Sequence, residues 1–140
     1  MAMIIPRWEW RTFARHFEVA EKHFAELTPA GIQESDELYL LGGTGENVKI
    51  RDDLLDIKVL REVDAAGLER WEPVMKKGFP LPKADVVSVF ASLHLAAPEL
   101  ARETYTREQF LDELIASQAV VRPVRLHKRR VRYTIGGCTS

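Results

Sequence analysis

The sequence has little cysteine and no motif that is typical of a structural metal site. Cys138 is the only cysteine among 140 residues, so no disulfide can form within the chain. This composition fits a reducing compartment. CxxC and HExxH motifs are absent and the four histidines are scattered, which argues against a structural zinc site. We therefore expect a cytoplasmic protein.

Long apolar runs and nucleotide-binding loops are also missing. No stretch reaches membrane-spanning length, and the N-terminus lacks an apolar core followed by a cleavage site, so we expect no membrane partner. Residues 42–45 are rich in glycine but lack the Lys-Ser/Thr ending of a P-loop, which favours a plain turn. With 46% apolar residues, the chain suits one globular domain over residues 1–140.

Acidic residues are absent from the end of the chain, although the formal net charge is only −1. None follows Glu113, and a long strand is predicted over residues 119–135. The alternation of side chains along a strand places Lys128, Arg130 and Arg132 together on one face. A strand with such an excess of cations is a candidate anion site.

Residues 47–60 contain the clearest local pattern in the chain. Two runs of alternating apolar residues flank Asp52 and Asp53, which predicts a β-hairpin with a two-residue loop. In that register Lys49 faces Asp56 and Val48 faces Ile57, because opposed residues share a face. One face then carries Val48, Ile50, Leu55 and Ile57, and the other carries Lys49, Arg51, Asp56 and Lys58.

Residues 4–13 predict a first strand with one aromatic and one charged face. Trp8 and Trp10 share the first face and are expected to meet a core, whereas Arg7, Glu9 and Arg11 share the second. Strands are also predicted over residues 37–41 and 101–105. Helices are predicted over residues 16–27, 64–75 and 85–93, and after a capping box at residues 106–109. For residues 85–90, which are rich in valine, a strand is the alternative.

Three predicted strands therefore share a division between apolar and cationic faces. If the sheet curls into a barrel with the cations inside, their repulsion is costly unless a polyanionic ligand fills the space. A tunnel lined with Lys and Arg suits a chain of phosphates, because Arg offers paired donors to phosphate oxygens. The alternative is that these are the outer faces of a sandwich and bind nothing in particular.

The order of these elements resembles a CYTH domain, in the superfamily of triphosphate tunnel metalloenzymes that includes class IV adenylyl cyclases and thiamine triphosphatases. The family's Val-Arg-Leu-Arg and Leu-Thr-Lys strands resemble Val-Lys-Ile-Arg at residues 48–51 and Asp-Ile-Lys at residues 56–58. Its later Lys-x-Arg pair resembles Lys128-x-Arg130. The resemblance implies an α+β fold, in which an antiparallel sheet curls into a complete or incomplete tunnel with helices packed outside.

The resemblance also implies a function, a metal and a set of phosphate ligands. The function is metal-dependent hydrolysis of a triphosphate or polyphosphate, with Glu9 as a ligand of Mg²⁺ or Mn²⁺. The family's first strand carries Glu-x-Glu-x-Lys, whereas Arg7 stands at its first carboxylate position here. The family also continues beyond the late basic strand, so we expect a shortened relative or the front part of a longer protein. The implied phosphate-binding residues are Arg11, Lys49, Arg51, Lys58, Lys128, Arg130 and Arg132.

A non-catalytic module that binds polyphosphate, a nucleotide or RNA is the alternative function. Stacking on nucleic acid has little support, because Tyr133 is predicted on the face opposite the cations. An incomplete barrel exposes sheet edges that a second copy would cover, so a homodimer is another expectation. The sequence identifies neither the substrate nor a catalytic residue.

Overall fold

The computed structural model describes residues 7–43 and 45–139. Its backbone contacts divide the chain into two compact units. Of the described residues, unit 1 contains 7–10, 37–43 and 45–126, and unit 2 contains 11–36 and 127–139. The fold class is α+β, as predicted, with a six-stranded antiparallel sheet that curls into an open half-barrel and three helices.

Six strands form the main sheet and three helices accompany it. In chain order the elements are β1 (Arg7–Glu9), α1 (Val19–Ala25), β2 (Gly31–Leu41), β3 (Asn47–Arg51), β4 (Leu54–Val63), β5 (Glu69–Gly78), β6 (Leu81–Pro82), α2 (Lys83–Ser92), β7 (Thr104–Tyr105), α3 (Arg107–Gln109), β8 (Arg122–Arg132), β9 (Thr134–Ile135) and β10 (Cys138–Thr139). The main sheet has the order β1-β5-β4-β3-β2-β8, and two short ladders pair β6 with β7 and β9 with β10. The helix α3 continues as a π-helix over Phe110–Ile115.

The hairpin of β3 and β4 confirms the predicted register. Lys49 pairs with Asp56, Val48 with Ile57 and Ile50 with Leu55. The loop is Asp52-Asp53, and Asp52 has a φ of 53°, a left-handed conformation that Asp tolerates better than most residues.

The apolar face of this hairpin forms the centre of the core of unit 1. Val48, Ile50, Leu55 and Ile57 are almost fully buried. Each such side chain contributes about 1.5–3 kcal/mol when it leaves water. The helical residues of the same core are Val86, Val89 and Phe90 from α2 and Phe110, Leu114 and Ile115 from the π-helix. The helix α2 and the π-helix therefore pack on the apolar side of the sheet.

The helix predicted over residues 64–75 is wrong, because most of this segment belongs to β5. Asp64 instead makes a tight turn, in which its Oδ1 accepts hydrogen bonds from the backbone N–H groups of Ala66 and Leu68, both at 2.9 Å. The chain then returns antiparallel to β4. Pro73 is unfavourable inside a helix, and pairing along the whole of β4 outweighs the weak helical spacing.

Two irregularities interrupt the ladder between β4 and β5. Between the pairs Ile57–Met75 and Lys58–Pro73, Val74 is an extra residue on β5. Between the pairs Leu60–Trp71 and Glu62–Arg70, Arg61 is an extra residue on β4. Each extra residue reverses the alternation of faces on its own strand, and such bulges also bend a sheet.

The expectation that Trp8 and Trp10 meet a core is wrong for the described residues. Trp8 is 47% exposed and Trp10 is 64% exposed. The strand is also shorter than predicted, since β1 ends at Glu9 and residues 10–13 are not extended in a sheet. Residues 4–6 of the predicted strand lie outside the described range. The physical reason for the exposure is that β1 is an edge strand, which pairs only with β5.

The other helices are close to their predicted positions. The predicted segments at residues 16–27 and 85–93 contain α1 and most of α2. The predicted capping box is confirmed: Thr106 Oγ1 accepts from the Gln109 backbone N–H, and Gln109 Oε1 accepts from that of Thr106. In unit 2, α1 packs its Phe24 ring against Tyr133, with ring centroids 4.9 Å apart.

Candidate anion-binding face

The candidate site is the side of the sheet in unit 1 that lies opposite the buried helices. Strand registers place its residues beside one another. Glu37 pairs with Arg51, and Tyr39 pairs with Lys49, across β2 and β3. We call this surface the charged face and define it by Glu37, Tyr39, Asn47, Lys49, Arg51, Asp56, Lys58 and Lys76.

A buried ion pair lies at the centre of the charged face. Lys49 Nζ lies 3.3 Å from Glu37 Oε1, and the two side chains are 14% and 3% exposed. The Tyr39 hydroxyl donates to Glu37 Oε2 at 3.2 Å. Glu37 therefore has a hydrogen-bond donor at each of its two carboxylate oxygens.

Arg51 and Lys58 lie on either side of this pair and are half-buried. Within the described part of the chain, neither side chain forms a hydrogen bond or an ion pair. Glu37 faces Arg51 in the register, but both of its carboxylate oxygens already accept from other residues. The charged face therefore holds two half-buried cations that form no ion pair with the described residues.

Two buried oxygen atoms on the same face also lack a hydrogen-bond partner among the described residues. They are Asp56 Oδ1 and Asn47 Oδ1, and Asp56 is only 9% exposed. Asp56 faces Lys49 on β3 and Lys76 on β5 in the register, but it forms no ion pair with either. Buried acceptors usually have a donor, so these two atoms require an explanation.

The expected metal ligand Glu9 lies on β1, directly opposite Glu69 on β5. The Glu69 carboxylate accepts a hydrogen bond from Trp71 Nε1 at 2.8 Å. Across residues 7–43 and 45–139, no three His, Cys, Asp or Glu side chains form a group that could hold a metal ion. The described residues do not fit the expected Mg²⁺ or Mn²⁺ centre, and we derive no step through a metal.

The remaining predicted phosphate ligands belong to unit 2. They are Arg11, Lys128, Arg130 and Arg132. Arg11 is exposed and follows the end of β1, whereas the other three lie on β8. Arg132 donates to Gln33 Oε1 at 2.7 Å, and its carbonyl accepts from the Ala30 backbone N–H.

Acidic residues of β2 partly neutralise the basic strand β8, which the sequence did not predict. Arg129 Nε lies 3.6 Å from Glu34, and His127 Nδ1 lies 2.8 Å from Asp36. The hydrogen bond with Asp36, followed by the attraction of its charge, raises the pKa of His127 above 6.5. The strand β8 therefore presents less uncompensated charge than its own sequence indicates.

Comparison of the chain with protein-family profiles, curated proteins and solved structures finds no match. The resemblance to CYTH domains thus stays a prediction. Among the described residues, no helix has the length and apolar character needed to cross a membrane. The functional interpretation consequently depends on the geometry of the charged face.

Several residues of the charged face were not identified from the sequence as site residues. These are Glu37, Tyr39, Asn47 and Lys76. A usable signal existed for two of them, because Glu37 and Tyr39 alternate with the apolar residues Leu38 and Leu40. Lys76 has no such signal, because it lies directly after the segment 64–75, for which the spacing predicts a helix and not a strand.

Proposed function

We propose that the charged face of unit 1 binds a ligand with several phosphate groups, such as a triphosphate or polyphosphate. The observation that supports this proposal is the pair of half-buried cations, Arg51 and Lys58, which have no anionic partner within residues 7–43 and 45–139. Removing a cation from water costs free energy unless an opposite charge compensates for it. An anion placed between them supplies that charge.

The chemistry of the two side chains favours phosphate over a carboxylate ligand. Arg51 can donate two parallel hydrogen bonds to one phosphate group, and Lys58 adds a compact charge for a second. Lys49 lies between them, and its ammonium group is 3.3 Å from Glu37. It therefore contributes positive potential, although Glu37 occupies part of its capacity to bind an anion. A chain of phosphates spans such a row of cations better than a single small anion does.

Hydrolysis is the further activity that the resemblance to triphosphate tunnel metalloenzymes implies. It requires oxygen ligands for a divalent cation that leave room for water and substrate. The described residues form no such group, so we propose that this chain binds its ligand more readily than it hydrolyses it. The single cysteine supports a cytoplasmic location for this binding activity.

Titration calorimetry with tripolyphosphate tests the proposal. Arg51→Ala and Lys58→Ala should each weaken binding by about 1.5–3 kcal/mol, the usual contribution of a hydrogen bond to a charged group. The matched controls are Arg61→Ala and Lys77→Ala, which remove cations already paired with Glu72 and Asp85. These controls should bind like the native chain.

Unchanged affinity in both test variants, or equal losses in the controls, would overturn the assignment of the charged face. Circular dichroism and urea unfolding show whether each variant keeps the native fold. Phosphate release measured with Mg²⁺ or Mn²⁺ tests hydrolysis separately. If single-stranded RNA displaces tripolyphosphate at an equal concentration of phosphate groups, the charged face is instead a general site for polyanions.

A further inference from the structure

The strand β1 is an edge of the main sheet and carries an exposed aromatic side chain at its centre. It pairs with β5 on one side, and the described residues provide no strand on its other side. Trp8, the central residue of β1, is 47% exposed. An edge strand presents backbone N–H and C=O groups that can pair with another chain, and a large aromatic residue adds apolar contact area. The edge at β1 is therefore a candidate interaction surface.

The charges on the two edges of the sheet indicate which partner fits. The opposite edge, β8, carries several Lys and Arg residues and no acidic one, so two copies of β8 repel each other. The strand β1 instead carries one cation, Arg7, and one acid, Glu9, on either side of Trp8. Two copies of such a strand are complementary when they run antiparallel. A second copy of the chain is therefore a partner that matches the charges of β1.

Only one register of two antiparallel β1 strands satisfies these charges. Because alternate residues of an edge strand point their N–H and C=O groups outward, two copies pair in registers centred on a residue. A register centred on Arg7 opposes two arginines, and one centred on Glu9 opposes two glutamates, which is unfavourable in both cases. The register centred on Trp8 opposes Arg7 to Glu9 of the second copy at both ends. It also places the two Trp8 side chains beside each other.

We propose that the chain forms a homodimer in which β1 pairs antiparallel with β1 of a second copy, in the register centred on Trp8. The dimer has two-fold symmetry, so each copy contributes the same residues to the interface. The two main sheets join at this edge, and each Trp8 side chain is covered by the other copy. The inference is independent of the proposed ligand site, because Arg51 and Lys58 lie on β3 and β4.

Exchange of the two charges tests the partner and the register together. Glu9→Arg and Arg7→Glu each replace two attractive contacts by repulsive ones, so each should raise the dissociation constant of the dimer by roughly tenfold or more. The double variant Arg7→Glu/Glu9→Arg restores complementarity and should dimerise like the native chain. Analytical ultracentrifugation over a range of protein concentrations measures these constants, and circular dichroism shows whether each variant keeps the native fold.

A second comparison tests the contribution of Trp8. Trp8→Ala should also raise the dissociation constant by roughly tenfold or more, because it removes the aromatic contact at the centre of the interface. The control Val87→Ala shortens an apolar side chain that is 46% exposed on α2, and it should dimerise like the native chain.

Three results would overturn the inference. The first is a native chain that stays monomeric, and if this monomer binds tripolyphosphate, the proposed function of the charged face stands alone. The second is a double charge variant that dimerises as weakly as the single variants, because the register centred on Trp8 requires rescue. The third is a dimer that neither single charge variant weakens, which would place the interface away from β1.

Discussion

Replacing Glu37 by Gln should have opposite effects on stability and on anion binding. Glu37 accepts hydrogen bonds from Lys49 and from the Tyr39 hydroxyl, and its side chain is only 3% exposed. Gln has nearly the same size and keeps an acceptor oxygen, so the change mainly removes the charge. It leaves Lys49 without its ion-pair partner, and the carboxylate that then lies nearest in the register is that of Asp56 on β4.

The expected loss of stability is about 1.5–3 kcal/mol, the contribution of a hydrogen bond to a charged group. It lies below the larger cost of breaking a fully buried pair, because Lys49 is 14% exposed and keeps partial hydration. Urea unfolding should show a lower midpoint and an unchanged slope. The control Glu62→Gln removes the exposed partner of Arg70, which lies 3.3 Å away, and should cost less than about 1 kcal/mol.

The same variant should bind tripolyphosphate more tightly. Glu37 competes with the ligand for Lys49, and its removal should strengthen binding by about 1–2 kcal/mol, a factor of roughly 5–30. Calorimetry on the folded variant, well below its unfolding midpoint, measures this change. Weaker binding by Glu37→Gln would refute the reasoning, as would a stability equal to that of the Glu62→Gln control.

Two further predictions concern contacts outside the charged face. Because the pKa of His127 is raised, its contact with Asp36 stabilises the fold fully below a pH of about 6.5. This stabilisation is lost as the pH rises through the pKa of His127 in the folded state. In Asp36→Asn, an NMR titration of the His127 ring should show a lower pKa. Thr106→Ala should lower the free energy of unfolding by about 1 kcal/mol, because the Gln109 N–H loses its acceptor, and urea unfolding of the exposed control Thr134→Ala should show almost no change. A His127 pKa that does not respond to Asp36→Asn, or equal stabilities of the two threonine variants, would contradict these expectations.

The hairpin could be predicted from the sequence because everything that specifies it is local. Alternation in two short runs and a two-residue loop fix which residues of β3 and β4 face one another. The strand β5 could not be recognised in the same way. Its extra residue Val74 breaks the alternation, so Leu68, Trp71 and Val74 recur every third position and imitate a helix.

Only part of the candidate site could be predicted, because local alternation shows which residues share a face but not which partners they meet on other strands. Alternation along β3 and β4 identified Lys49, Arg51 and Lys58, but the sequence could not show which acid would neutralise one of them. That role belongs to Glu37, on a strand whose pairing with β3 depends on the fold. The contact between His127 and Asp36 joins residues that are 91 positions apart, so local sequence patterns could not predict it either.

The two bulges between β4 and β5 have opposite effects on the alignment of these strands. Val74 adds one residue to β5 and Arg61 adds one to β4, so the pairs beyond the second bulge return to the alignment that precedes the first. Neither extra residue has a partner across the ladder, so a deletion of Val74 or of Arg61 keeps every cross-strand pair and removes only the local bend. We therefore expect the β4–β5 hairpin to accept the loss of either residue by itself, with a change in the curvature of the sheet and none in its strand pairing.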